Sequence, residues 1–113
     1  MSYDELTFIL KKAVKIEERN VQYSHIAVKN LSILKLRDIL IECSKILFED
    51  INDSVYVAEF RSGFLKKNSA VAALKLEQNQ IIVAVYAKEG ILNQRTAEGA
   101  INEIREKIKK YAV

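Results

Sequence analysis

Residues 69–88 read SAVAALKLEQNQIIVAVYAK, and the fold follows from how that stretch is divided. Ala70, Ala72, Leu74 and Leu76 fall on one face of an extended chain, with Lys75 and Glu77 on the other. That two-residue alternation belongs to a strand with one face against a core. Ile81 to Ala87 is apolar without interruption, which in so short a run indicates a central strand buried on both faces. Gln78-Asn79 between them makes a two-residue hairpin turn, since asparagine tolerates positive φ. A further strand is expected over 54–61, ahead of a loop that Gly63 and Asn68 bracket. Strands over 54–61, 69–77 and 80–88 then form a three-stranded antiparallel meander.

Outward from the meander, the chain reads as helices. Residues 93–111 place Ala97, Ala100, Ile101, Ile104, Ile108 and Tyr111 on one face. Glu103–Lys107 and Glu106–Lys110 stand four apart in the favourable orientation, and the basic C-terminal end suits the helix dipole. Gly99 inside this helix costs roughly 1 kcal/mol relative to alanine. Close backbone approach by a neighbouring element is the expected compensation.

A helix over 32–51 carries Ile33, Leu36, Leu40, Cys43 and Leu47 along one stripe. Leu34, Ile39, Ile41, Ile46 and Phe48 add apolar residues on its other faces, so such a helix must be covered on more than one side. Residues 3–19 form a first amphipathic helix, opened by a Ser2/Glu5 capping box and lined by Leu6, Ile9, Leu10, Ala13 and Ile16. Phe8 and Val14 fall off that face. Residues 20–30 hold one short strand, since Ile26-Ala27-Val28 has strand character and Val21, Tyr23 and His25 alternate with polar neighbours. The expected fold is a single α+β domain over 1–113, three helices packed on a mainly antiparallel sheet, in the order α-β-α-β-β-β-α.

The totals agree with an ordered domain. Of 113 residues, 50% are apolar, proline is absent and there are three glycines, a composition that disordered chains do not have. The formal charge is +3. Residues 1–52 carry eight charges of each sign, so the excess lies in 53–113 and is densest at Arg61, Lys66 and Lys67. Nucleic-acid binders usually show a stronger basic bias. Cys43 is the only cysteine, which excludes an internal disulfide and a cysteine-built metal site. The longest apolar run is too short to span a bilayer, and the acidic start of the chain lacks the pattern of a secretory leader. A cytoplasmic location without membrane attachment is expected.

Catalytic chemistry is hard to assemble from these residues. His25 is the only histidine, and a general base needs a positioned partner and a cleft; a structural or surface role is the stronger reading. Cys43 sits on an apolar stripe, where it acts as a small hydrophobe. Glu49, Asp50 and Asp53 cluster at the expected end of the second helix, but lack the loop glycine and ligand count of a calcium loop. Gly63 and Gly90 stand outside any phosphate-cradling motif. No enzyme activity, cofactor or metal is therefore expected. Arg61, Phe64, Lys66 and Lys67 interleave an aromatic with basic residues, as single-strand binders do, although solvated loop charge beside one apolar anchor accounts for them as well.

The stretch AVAALKLEQNQIIVAVYAKEGILNQRTAEGAINEIREKIKKYA, residues 70–112, resembles the C-terminal half of a Roadblock/LC7 domain. In that family a hairpin ends in an apolar strand and leads through a short Asn/Gly turn into a closing amphipathic helix. Here Ile81–Ala87 matches the strand and Gly90–Asn93 the turn. The preceding apolar helix and meander suit the family's order of elements. One departure lies at residues 20–31, which hold one ordinary strand or two very short ones where the family normally has two strands. The resemblance implies a non-catalytic homodimer, joined through the middle helix and an adjacent edge strand, that serves as a platform for small GTPases or larger complexes. Leu34, Ile41 and Phe48 on the second helix, with Val55 and Val57 on the following strand, are the expected interface. A nucleic-acid-binding role through Arg61, Phe64, Lys66 and Lys67, helped by the basic end of the last helix, is the alternative.

Overall fold

The computed structural model describes residues 3–16, 20–62, 68–87 and 96–111. Its elements are α1 (Tyr3–Ala13), β1 (Val21–Ala27), α2 (Ile33–Cys43), β2 (Lys45–Asp50), β3 (Val55–Ser62), β4 (Asn68–Leu76), β5 (Gln80–Tyr86) and α3 (Thr96–Tyr111). The five strands form one antiparallel sheet in the order β1-β5-β4-β3-β2. The fold is α+β in the expected order, with one strand more.

Alternation along the strands divides the core in two. Ile26, Tyr56, Ala58, Phe60, Ala70, Ala72, Leu74, Ile81, Val83 and Val85 face α2 and α3, which contribute Leu36, Ile39, Leu40, Ala100, Ile101, Ile104 and Ile108. Val21, Val57, Val71, Ala73, Ile82 and Ala84 face the opposite way, onto Leu6 and Leu10 of α1. A fully buried leucine or isoleucine contributes about 1.5–3 kcal/mol, so both layers hold the sheet. The run Ile81–Ala87 is apolar throughout because β5 is an interior strand with helices on both sides.

The extra strand corrects the second helix. α2 starts as the sequence indicates, with Ser32 accepting the Lys35 N–H at 3.0 Å, but it stops at Cys43. Ser44 is the whole connection: it is extended, and its N–H and hydroxyl both donate to the Leu40 carbonyl (2.8 and 2.6 Å). Lys45–Asp50 then pairs with β3. The apolar residues that seemed to make one helix greasy all round are thus shared between a helix and a strand. Backbone pairing along β3 outweighs continuation of the helix because Ile46 and Phe48 suit a half-buried pleated surface.

Other boundaries move as well. α1 ends at Ala13, well short of residue 19, and Val14 and Ile16 reach the α1-side core from the segment that follows it. Residues 93–95, the Ser2 half of the capping box and the Gly90–Asn93 turn lie outside the described residues. The β4–β5 turn falls at Gln78-Asn79, closed by the Glu77 N–H donating to the Gln80 carbonyl at 2.8 Å. It does so without positive φ, which among the described non-glycine residues occurs at Asn30 and Ser54. Among the described residues, a Cβ placed on Gly99 would meet nothing within 4 Å, so none of them makes the expected close approach there.

Candidate interaction surface

Folding leaves a set of large apolar side chains in solvent. Leu34 and Ile41, on the outward side of α2, are 59% and 53% exposed. They stand seven residues apart, two helical turns on one face, opposite the buried stripe of Leu36, Ile39 and Leu40. Phe48 is 46% exposed, and Leu47 and Ile51 beside it are exposed too. All five lie within two consecutive elements and the turn after them, at the β2 end of the sheet.

The geometry of β2 explains why Leu47 and Phe48 stand together. Ile46 pairs with Ala58 and Phe48 with Val57, so Leu47 is an extra residue in a bulge. Val57 faces α1, and with the bulge both Leu47 and Phe48 line a groove on that side. The groove encloses about 600 Å³ between Ile9, Lys12 and Ala13 of α1 and Leu47, Phe48, Asp50, Asp53 and Val55. It exists because α1 lies over β4 and β5 and leaves the β2–β3 margin of that face uncovered. Lys12 sits 4.6 Å above the ring of Phe8, another exposed aromatic.

On the opposite face the same margin is polar and tied down. Arg37 of α2 donates to Glu49 of β2 at 2.8 Å, which raises the guanidinium pKa. The buried Tyr56 hydroxyl donates to the Ile33 carbonyl at 2.9 Å, and burial raises its pKa. These contacts fix α2 over the β2–β3 pair. Lys107 of α3 reaches Glu42 of α2 at 3.4 Å rather than the expected Glu103.

Of the expected interface, Leu34, Ile41 and Phe48 are exposed, though Phe48 stands on β2 and not on the second helix. Val55 and Val57 are 1% and 0% exposed and have no surface to offer. Their strand, β3, is interior, flanked by β2 and β4. Leu47 and Ile51 join the patch in their place. Leu47 falls on the helical stripe by spacing, and the break at Ser44 brings it to the surface.

The residues considered for other chemistry are scattered. Arg61 is exposed, 3.4 Å from Glu59, and Phe64, Lys66 and Lys67 lie outside the described residues. His25 is exposed on β1. Cys43 packs against the α2/α3-side core, and burial, followed by the charge of Glu103, pushes its thiol up to about 11. Glu49 and Asp50 lie on β2 and Asp53 in the turn after it, where its N–H donates to the Asp50 carboxylate at 3.2 Å. The acidic cluster therefore closes a strand turn and does not sit at a helix end. Among the described residues no group of three or more His, Cys, Asp or Glu is placed to hold a metal, and no helix is long and apolar enough to cross a membrane.

Comparison with family models, with curated proteins and with solved structures found no match.

Proposed function

We propose that this chain is a non-enzymatic interaction module that works as a homodimer and serves as a scaffold or regulator for a small GTPase or a larger complex in the cytoplasm. The observation that carries the dimer is the exposure of Leu34 and Ile41 on α2 together with that of Leu47, Phe48 and Ile51 on and just after β2, at the same end of the sheet. Several large exposed apolar side chains at one end of a small domain point to an interaction site more than scattered single ones do. A two-fold interface presents each residue twice, so five side chains become ten.

Side chains, not backbone pairing, hold the two copies. β2 is a short edge strand with a bulge at Leu47 and charges at Lys45, Glu49 and Asp50, all features that discourage strand addition. The partner class, a small GTPase or larger assembly, rests on the Roadblock-like pattern of residues 70–112.

Ile41→Glu tests the interface. Ile41 is exposed, so the substitution leaves the core of the chain intact. Introduced twice at a two-fold interface, it should raise the dimer dissociation constant by at least a hundredfold. Sedimentation velocity then shows a monomer with wild-type circular dichroism. A sedimentation coefficient identical to that of the unsubstituted dimer would remove the assignment.

A further inference from the structure

The two edges of the sheet differ in how they are protected. β2 is bulged and charged, as described above. β1, at the opposite end, is a straight seven-residue strand, Val21-Gln-Tyr-Ser-His-Ile-Ala27, with no proline, lysine or acid in it. Its pairing with β5 runs unbroken from Val21↔Tyr86 to Ala27↔Gln80.

The register fixes which backbone groups point outward. The Val28 N–H donates to the Asn79 carbonyl at 3.0 Å, so Gln22, Ser24 and Ile26, spaced two apart from it, also bond to β5. In an antiparallel ladder the alternate residues face the other way. The N–H and carbonyl groups of Val21, Tyr23, His25 and Ala27 therefore point away from the sheet. Tyr23, His25 and Ala27 are exposed, and among the described residues nothing hydrogen-bonds to their outward groups. An edge left unpaired by the described residues is a template for strand addition.

Side chains on either side of the edge define what fits there. On the α3 side, Arg105 extends to the Ser24 hydroxyl at 3.4 Å and to the Asn102 side chain at 3.3 Å. Lys29 is exposed just past the end of the strand. On the α1 side, Tyr3 and Tyr23 meet edge to face with centroids 5.2 Å apart, and the Tyr23 hydroxyl bonds to Thr7 at 2.8 Å. The edge thus offers the Arg105 guanidinium on the α3 side and a half-exposed aromatic pair on the other.

We infer that the outer edge of β1 binds an extended, acidic segment of a partner protein as a sixth strand, with a carboxylate set against Arg105 and an apolar residue against Tyr23. The occupant is a different chain because of the proposed α2/β2 dimer, on which this step rests. A second self-pairing face at the other end of the sheet would carry assembly beyond the two copies of that dimer.

The test uses the Ile41→Glu chain, so that its outcome is independent of dimerisation. The probe is a seven-residue peptide alternating valine and glutamate, and the control alternates valine and lysine. Amide exchange by NMR should slow at least tenfold at Tyr23, His25 and Ala27 with the glutamate peptide and remain unchanged with the lysine peptide. Arg105→Ala should weaken binding at least fivefold. His25→Pro, which removes an outward N–H without breaking the β5 ladder, should abolish it. No protection at these amides, equal protection by both peptides, or protection that grows with protein concentration in the absence of peptide would overturn the inference. Failure here leaves the dimer assignment standing, and a monomeric wild-type protein that still binds the peptide leaves the β1 site standing.

Discussion

Replacing Gly99 by alanine should stabilise the protein. Gly99 is the fourth residue of α3, between buried Ala97 and Ala100, yet on the solvent side of the helix beside exposed Glu98. A Cβ there meets none of the described residues within 4 Å, so the substitution carries no steric cost against them. Glycine in a helix interior is less favourable than alanine by about 1 kcal/mol, much of it through the greater freedom of the unfolded chain. For a chain of this size that corresponds to a rise in Tm of roughly 4 °C. The urea midpoint should rise by roughly 0.3–1 M, with an unchanged slope. Equilibrium urea unfolding followed by circular dichroism measures it. An unchanged or lower midpoint would refute the reasoning, because another element or another copy would then have to press against the helix at Gly99.

Tyr56→Phe should cost about 0.5–1.5 kcal/mol in the same assay, since it removes the hydroxyl that anchors the first turn of α2 through the Ile33 carbonyl. Cys43, with its thiol pushed up to about 11, should be roughly one-thousandth thiolate at pH 8 and react with Ellman's reagent far more slowly when folded than in urea. Because the folded pKa lies above the ordinary value, the stability it contributes holds at neutral pH and is lost as pH rises towards 11; Cys43→Ala should flatten that decline. Lys107→Met should change the unfolding free energy from the same titration by less than about 0.5 kcal/mol, because its pair with Glu42 is partly exposed.

The parts of the fold that were legible in the sequence are those in which local pattern and final environment agree. The alternation over Ala70–Leu76, the apolar run of β5 and the buried face of α3 all follow from spacing alone. The break between α2 and β2 does not. Ile33, Leu36, Leu40, Cys43 and Leu47 satisfy a helical stripe, and neither glycine nor proline interrupts it. What ends the helix is a long-range pairing, β2 against β3, that no local window contains. The surface was legible to the extent that it depends on helical angle: Leu34 and Ile41 lie off the stripe and are exposed. Val55 and Val57 are buried because β3 is interior and not the edge strand that the resemblance implies, and an edge is defined by which strand lies beside it. The open edge of β1 was hidden for the same reason, since nothing within Val21–Ala27 says that β5 covers only one side of it.

Molar mass by light scattering after gel filtration, over a hundredfold range of concentration, tests the interaction module most directly. A mass twice the 12.9 kDa of the chain, constant on dilution, is the predicted result. A mass of one chain at every concentration would contradict it, leaving Leu34, Ile41 and Phe48 exposed without a second copy to cover them.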